Sequence, residues 1–424
     1  MRPSDSNRTA TRWSIRLMPL FIAAVLGIAT YSVVYRLCVR FLYRKLGKSG
    51  LTATFLVLYW VFFLLAGASY FRTFAAAQFN SGLVPLLYER DAFIRPSSDE
   101  QSSAMCAGKG FVGAFAKRPS KGRGRDPERS PWVPPDQDPD SPGLEAFYSK
   151  DVFLCEPDGR PKWCSDCRQW KPDRAHHSSE LDRCVRKMDH LCPWVGGMVS
   201  ETSFNFFFQF TFYTFCYCVI CLSACAYALH QEKLRGPKVD GWFIAVVAIA
   251  SIFTFFTLAM TLTSARLILT NYTSIDILRK SQVIFLAVRI PRNSPSTEAF
   301  TTVSYPLERP PPSMSDTSHA RSSMDRDPSR DRRATRKFAI LRLEPNDNPW
   351  DLGYWGNWKS VMGSNVFEWL LPIRHSPCCN HESMESDYRL GPLLAASKKR
   401  YGVPELDGDV DGVVEMHDTA MLAP

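Results

Sequence analysis

Four stretches of this chain are almost entirely apolar and are separated by long polar regions. They run from about Leu17 to Tyr35, Leu51 to Phe71, Phe204 to Leu229 and Gly241 to Leu269. Roughly 20 apolar residues in a helix are needed to cross the ~30 Å hydrocarbon core of a bilayer. Trp, Tyr and Arg at their edges are typical of membrane spans, and less so of helices buried in a soluble core. The pattern predicts an all-α membrane protein with four transmembrane helices.

The first apolar stretch has a second interpretation, which is a cleaved signal peptide. It is longer than the apolar region of such peptides, and no good small-residue cleavage site follows it, so we favour a retained membrane anchor. An even number of spans places both termini and the long middle segment on the same side of the membrane.

Charge near the spans gives a modest preference for the cytosol as that side. Arginines precede the first span, but the basic connection from Arg36 to Lys48 argues in the opposite direction. Free thiols and metal thiolates need a reducing compartment, which is the stronger argument for a cytosolic middle segment.

Two segments, Pro96 to Pro142 and Pro291 to Arg336, are rich in Ser, Pro and charge and are predicted to be disordered. The predicted organisation therefore has five parts in chain order. These are residues 1–71 with the first two spans, the linker 72–149, a Cys-rich domain at 150–203, the last two spans at 204–269, and a cytosolic tail at 270–424 with an insert near 291–336.

The formal net charge is +9, and the chain holds 13 cysteines. A basic excess occurs in nucleic-acid binders and also in cytoplasmic membrane loops. Four spans and the lack of a long basic recognition helix argue against nucleic acid as a partner. A disulfide scaffold is typical of small secreted domains, whereas these cysteines cluster unevenly, as free thiols and metal ligands do.

A pattern of metal ligands lies between the second and third spans. Cys164 and Cys167 are separated by two residues, and His177 and Cys184 follow. Three thiolates and one imidazole form a closed tetrahedral set of the kind that holds a structural zinc. The spacing alone leaves His176 as a rival to His177. Because the segment is short and polar, metal binding would supply much of its folding free energy.

One further cysteine, Cys192, has the neighbours of an activated nucleophile. His190 is placed to accept the thiol proton, and Asp189 is placed to orient the imidazole. Pro193 restricts the backbone before it to extended or turn geometry. The position beside a metal module and shortly before a membrane span favours a nucleophile over a structural thiol.

These motifs resemble those of the DHHC family of protein S-acyltransferases, over about half of the chain. The following residues have the identity and spacing of the family's motifs: Cys164 and Cys167, Lys171-Pro172, Arg174, His176-His177, Cys184-Val185, Met188-Asp189-His190, Cys192-Pro193-Trp194-Val195 and Asn205. Thr273-Ser274-Ile275-Asp276 resembles the Thr-Thr-x-Glu motif of the family. The segment from Asn348 to Gly363 resembles its conserved tail.

The resemblance implies a small zinc-stabilised cytosolic domain between spans two and three, in a multi-pass protein of the endomembrane system or plasma membrane. Its Cys192 would take a long-chain acyl group from acyl-CoA and pass it to protein cysteines near the membrane. The acyl tail would lie among the four helices, in contact with membrane lipid. Trp194 would line the tunnel mouth, with an interfacial anchor as its alternative role. Basic residues between Arg160 and Lys187 would receive the CoA phosphates, with a solvated loop face as the commoner alternative meaning of such charge.

The chain departs from the family at its signature, where Leu191 replaces the second His. In the family that His binds a second zinc, whose other ligands correspond here to Ser178, Leu181 and Met198. All four positions lack ligand chemistry, so the resemblance implies one structural zinc. The three apolar residues are expected to pack together in its place. The altered signature resembles that of divergent fungal members, and it leaves a catalytically inactive membrane adaptor as the alternative function.

Overall fold

The computed structural model describes residues 5–86, 135–136, 138, 141–307, 336–379 and 388–406, with side chains from residue 17 onward. Most of the linker predicted to be disordered, at 96–142, lies outside these residues. In the described chain the helices are α1 Asp5–Thr30, which continues as a π-helical segment Tyr31–Lys45, α2 Ser49–Phe79, α3 Glu145–Tyr148, α4 Phe204–Lys233, α5 Gly241–Thr270, α6 Ser274–Leu278, α7 Gly353–Met362, α8 Val366–Leu370 and α9 Pro392–Tyr401.

The described strands are short. They are β1 Val152–Cys155, β2 Trp163–Cys164, β3 Gln169–Trp170, β4 His176–Ser178, β5 Arg183–Val185, β6 His190–Cys192, β7 Gly197–Val199, β8 Phe285–Ile290, β9 Thr301–Tyr305 and β10 Arg336–Arg342. Strands and helices belong to two compact units. The first holds the long helices, β4 to β7 and α6 to α8, and the second holds α3, β1 to β3, β8 to β10 and α9.

Four helices of the first unit are long and apolar enough to cross a membrane, as the hydropathy pattern predicts. These spans are Leu17–Lys45, Ser49–Phe79, Phe204–Lys233 and Gly241–Thr270. The first is longer than expected, because the basic connection after Arg36 is itself helical as far as Lys45. Arg36 forms an ion pair of 2.6 Å with Asp240, whose side chain also caps the first turn of α5.

Aromatic residues and cysteines fill the core between these helices. Tyr59 of α2 packs on Tyr217 of α4 with ring centroids 5.2 Å apart, and the hydroxyl of Tyr217 donates to that of Tyr59 at 2.9 Å. Cys218, Cys221 and Cys225 are buried in the same cluster. They pack there as small apolar side chains, as free cysteines commonly do.

The expectation of an all-α fold is correct for the spans only, because ten short strands occur in the described chain. In the second unit an antiparallel sheet has the order β1-β8-β10-β9. Phe153, Tyr305 and Phe338 pack edge to face in its core. Strand β8 reads Phe-Leu-Ala-Val-Arg-Ile, and β10 contains the run Phe-Ala-Ile-Leu. Apolar runs this short do not distinguish a buried strand from a helix segment before the partner strands are known.

Part of the insert predicted to be disordered differs from that expectation. Residues 301–305 form β9, which pairs with β10 in the register Thr302 with Ala339 and Ser304 with Lys337. The local sequence Thr-Thr-Val-Ser-Tyr has good β propensity, which the surrounding Pro and Ser residues obscure. Residues 308–335 of the insert lie outside the described chain.

Candidate active site and metal-binding group

The candidate nucleophile Cys192 lies on a tight hairpin formed by β6 and β7. In this pair His190 is opposite Val199, Leu191 is opposite Met198, and Cys192 is opposite Gly197. Side chains two residues apart in a strand point to the same face, so the hairpin places His190 and Cys192 on one side. Gly196 closes the turn with φ +72°, a conformation that favours glycine.

Helix α2 holds this hairpin from behind. The amide of Gln78 donates to the Gly196 carbonyl at 2.6 Å. Gly197 lies so close to α2 that a Cβ atom there would be 2.9 Å from the Cβ of Ala77. The sequence pattern did not identify these contacts, because Ala77 and Gly197 are distant along the chain.

Three donors converge on the carboxylate of Asp189. The Nδ1 atom of His190 lies 2.6 Å from Oδ2, the backbone N–H of Ser274 donates to Oδ1 at 2.7 Å, and the Ser274 hydroxyl donates to Oδ2 at 3.1 Å. Asp189 is buried, and His190 is partly buried. With Nδ1 bonded to the carboxylate, Nε2 is the ring nitrogen left for proton exchange.

Charge around His190 favours its protonated form. Burial alone would lower the pKa of the imidazole, but the hydrogen bond to Asp189 and the neighbouring Cys192 outweigh it and raise the pKa to about 9. Within the described residues, no hydrogen bond of good geometry reaches the buried Nε2. The arrangement stabilises the imidazolium that forms when His190 accepts the proton of Cys192.

Ser274 was not assigned a role from the sequence, although its motif was noted. It stands at the start of α6, where Thr273 and Asp276 form a reciprocal capping box. Buried Arg174 binds Asp276 at 2.6 Å and donates to the side chain of Asn271 at 2.8 Å. These contacts fix the turn after α5, and with it the two donors that Ser274 presents to the carboxylate.

An apolar cavity of about 180 Å³ opens among the four spans and includes Cys192 in its wall. On α4 its lining extends from Phe207 to Cys221, and fourteen helical steps correspond to about 21 Å. Trp194 also lines the cavity and contacts the rings of Phe253 and Phe256, at 6.0 and 5.5 Å between centroids. The space suits a long apolar chain with one end beside Cys192.

The four ligand candidates predicted from the sequence come together as one group. The ligand atoms of Cys164, Cys167, His177 and Cys184 all lie within 4.8 Å of one another, which fits a tetrahedral ion with sulfur ligands at ~2.3 Å. Of the two adjacent histidines, His176 and His177, it is His177 that belongs to this group. Adjacent strand residues face opposite sides, so β4 turns His176 away from the position of His177.

Short hairpins position these ligands. The N–H of Cys167 donates to the Cys164 sulfur at 3.4 Å, and His177 is opposite Cys184 in the β4–β5 pair. The segment after α2 adds to β5, since the N–H of Val84 donates to the Cys184 carbonyl at 2.9 Å. The group can therefore hold a metal ion.

The residues at the positions of the family's second zinc site make other contacts in this structure. The Ser178 hydroxyl accepts from the N–H of Leu181 at 3.3 Å, and Leu191 is directly opposite Met198. The pairing of Leu191 with Met198 fits the expected apolar contact, and its extension to Leu181 stays a prediction. Among the described residues, the Cys₃His group is the only set of His, Cys, Asp or Glu side chains close enough together to hold a metal ion.

Comparison with known proteins agrees with this site. A model of the DHHC palmitoyltransferase family matches residues 158–281. The palmitoyltransferase pfa5 of Aspergillus fumigatus is 38% identical over 92% of this chain and 90% of its own length. The palmitoyltransferase pfa5 of Emericella nidulans is 35% identical over 95% of this chain and 88% of its own length. The mouse palmitoyltransferase ZDHHC20 is 32% identical over 47% of this chain and 43% of its own length. The resemblance to fungal members and the enzyme interpretation are both confirmed: the chain belongs to the DHHC palmitoyltransferase family and is a protein S-palmitoyltransferase.

Proposed function

We propose that the enzyme transfers its acyl group in two steps through a thioester on Cys192. The observation that carries this proposal is the position of Cys192, which adjoins His190 and also lines the apolar cavity. A thiol that met only one of these conditions would lack either its proton acceptor or a place for the acyl chain.

In the first step His190 takes the proton of Cys192, and the thiolate attacks the carbonyl carbon of acyl-CoA. A carbon–sulfur bond forms on the enzyme, the bond to CoA breaks, and the CoA thiolate leaves with a proton from the imidazolium. In the second step a substrate cysteine repeats the attack on the acyl-enzyme and releases Cys192. Both steps exchange one thioester for another, so positioning contributes most of the catalysis.

Asp189 supports both steps by holding His190 in one tautomer and stabilising its positive charge. The apolar cavity would hold the acyl tail, since burial is worth about 0.8 kcal/mol per CH₂ group. Trp194 would cover the end of the chain that carries the thioester. Substrate cysteines must reach Cys192 beside the spans, so membrane-proximal cysteines are the expected acceptors, as the membrane lipid surface holds them nearby.

The Cys₃His group would bind one structural zinc. Four protein ligands leave no open position for water or substrate, so the ion would stiffen the Cys-rich domain and take no part in the chemistry. Thiolate ligands and a free nucleophile support a cytosolic position for this domain, in a multi-pass protein of the endomembrane system or plasma membrane. Basic residues from Arg160 to Lys187 would attract the CoA phosphates.

Intact-mass analysis after incubation with palmitoyl-CoA tests the nucleophile. Wild type should gain one hydroxylamine-labile acyl group, and Cys192→Ser should gain none. Cys216→Ser is the matched control, because Cys216 lies on α4 but does not line the cavity. An adduct that survives Cys192→Ser and transfers to a substrate would place the nucleophile elsewhere.

A further inference from the structure

A second group of ionisable side chains surrounds Cys378, a residue that the acyl-transfer steps do not use. The Lys187 ammonium lies 3.9 Å from the Cys378 sulfur. The next residue, Cys379, donates its thiol hydrogen to the Glu201 carbonyl at 2.9 Å. The Glu201 carboxylate in turn accepts from the Tyr388 hydroxyl. Cys378 and Cys379 are both only partly buried.

The charges that face Cys378 come from several elements. Lys187 and Arg174 are the cations, and Glu201 and Tyr388 are the acidic groups on the other side. Burial raises the pKa of Glu201 to about 7 and raises that of Tyr388 further above its ordinary value. Glu201 also forms an ion pair of 3.1 Å with the buried Arg186, which offsets its negative charge within the group.

A thiolate at Cys378 is favoured by these surroundings. A hydrogen bond from Cys379, opposed by burial and aided by Lys187 and then Arg174, lowers the pKa of Cys378 to about 6. The single hydrogen of Cys379 can be donated either to the Cys378 sulfur or to the Glu201 carbonyl, whereas Lys187 and Arg174 act on Cys378 through their charge. Burial lowers the pKa of Lys187, while Cys378 and Glu201 act against that shift.

A small cavity adjoins this thiol. Its volume is about 10 Å³, room for about one water molecule, and its wall includes Cys378, Lys187, Ser376 and Tyr272. The catalytic carboxylate of Asp189 lines the same cavity. The cavity is too small for the thioester end of a bulky acyl-CoA, whereas a small uncharged oxidant would reach the thiol from its partly exposed side.

We propose that Cys378 is a peroxide-reactive thiol and that Cys379 is its resolving partner, which together form a reversible oxidation site separate from the acyl-transfer nucleophile. Reactive cysteines of this kind combine thiolate character, partial exposure and an adjacent second cysteine. The inference does not depend on the role proposed for Cys192.

The reaction balances with hydrogen peroxide as the oxidant. The Cys378 thiolate attacks one peroxide oxygen, the O–O bond breaks, and hydroxide leaves to take up a proton as water. The sulfur of Cys379 then attacks the sulfenic sulfur, an S–S bond replaces the S–O bond, and a second water leaves with the Cys379 proton. Two electrons pass from the two thiols to the peroxide.

The product is expected to be easily reduced. Neighbouring Cα atoms are ~3.8 Å apart, less than the ~4.4 Å minimum usual for disulfides, so a ring between adjacent cysteines is strained. Strained disulfides have higher reduction potentials and are the labile ones. A dithiol should therefore restore both cysteines.

Full-length protein in detergent micelles tests the site by peptide mass spectrometry after brief peroxide treatment. In wild type the peptide with both cysteines should lose two hydrogens and regain them with dithiothreitol. In Cys379→Ser the sulfenic acid should persist at Cys378, and a dimedone probe, which traps sulfenic acids, should label Cys378 about tenfold more than Cys216, a partly buried cysteine on a membrane helix. Equal labelling of Cys378 and Cys216 would overturn the proposal.

A second measurement separates thiolate chemistry from mere exposure. The rate of Cys378 alkylation should rise with a midpoint near pH 6 in wild type, from its lowered pKa. In Lys187→Met the midpoint should move upward by about one pH unit or more, because the nearest cation is lost. Retained metal content would confirm that the variant is folded. An unchanged midpoint in the folded variant, or acylation of Cys378 by palmitoyl-CoA in place of oxidation, would contradict the assignment.

Discussion

Ser274 donates two hydrogen bonds to the Asp189 carboxylate, from its backbone nitrogen at 2.7 Å and from its hydroxyl at 3.1 Å. The two residues are 85 positions apart along the chain. The turn after the last span therefore orients the carboxylate that orients His190. This contact links the tail motif to the hairpin that carries Cys192.

Loss of the Ser274 hydroxyl should slow formation of the acyl-enzyme. Ser274→Ala removes one donor to a carboxylate, a bond worth about 1.5–3 kcal/mol, and leaves the backbone donor in place. We expect a decrease of about tenfold or more in the single-turnover rate. Ser274→Thr keeps a hydroxyl and should retain most of that rate. Equal rates for wild type and the alanine variant would show that the backbone N–H suffices.

The raised pKa of His190 should make stability depend on pH. An imidazole whose pKa is about 9 when folded and ~6.5 when unfolded stabilises the protein fully below pH 6.5. That contribution is lost as pH rises through 9. The Tm of wild type should therefore fall more between pH 6.5 and 9.5 than that of His190→Gln. Parallel Tm curves for the two proteins would contradict the raised pKa.

Asp189→Asn should show how much of the acyl-enzyme formation depends on the charge of the carboxylate that contacts His190. The asparagine keeps the size of the side chain but removes the charge that raises the pKa of His190. We expect a loss of about a hundredfold or more in acyl-enzyme formation, since proton transfer by a positioned group contributes about 10²–10⁴. Metal content serves as the control for folding. A variant within a few-fold of wild type would mean that Asp189 is dispensable.

A methyl group at Gly197 should loosen the hairpin from α2. Gly197→Ala would place a Cβ 2.9 Å from the Cβ of Ala77, and such overpacking typically costs about 1–3 kcal/mol. We expect a lower Tm and slower acylation. Adding Ala77→Gly removes the opposing methyl group and should recover part of both losses. If the double variant is no better than the single one, the contact is not the cause.

The length of the cavity should set the preferred acyl chain. Tyr217 lines the cavity, and its hydroxyl is held by Tyr59. Tyr217→Ala would extend the space and should shift selectivity towards longer acyl-CoA substrates in competition assays. Tyr217→Phe removes the hydroxyl but keeps the ring, so its selectivity should remain near that of wild type. An unchanged preference in the alanine variant would place the limit elsewhere.

Sequence alone determined the parts of this protein that are encoded locally. Long apolar runs identified the four spans, because a helix satisfies its own backbone hydrogen bonds in lipid and needs only length and hydrophobicity. The spacing of Cys164 and Cys167 indicated a metal-binding turn in the same way. Asp189, His190 and Cys192 were predicted to be a catalytic group because they lie within four residues of one another.

Tertiary structure decided what depends on contacts between distant residues. Spacing alone did not decide whether His176 or His177 belongs to the metal-binding group. In β4 the two side chains face opposite sides, and His177 is the one opposite Cys184. The short strands escaped prediction, since a strand of three residues is stabilised by its partner and not by its own sequence. The pairing of Ser274 with Asp189 likewise arises only when the chain after α5 returns to the hairpin. Such contacts carry no local signal, because their energy comes from groups that folding alone brings together.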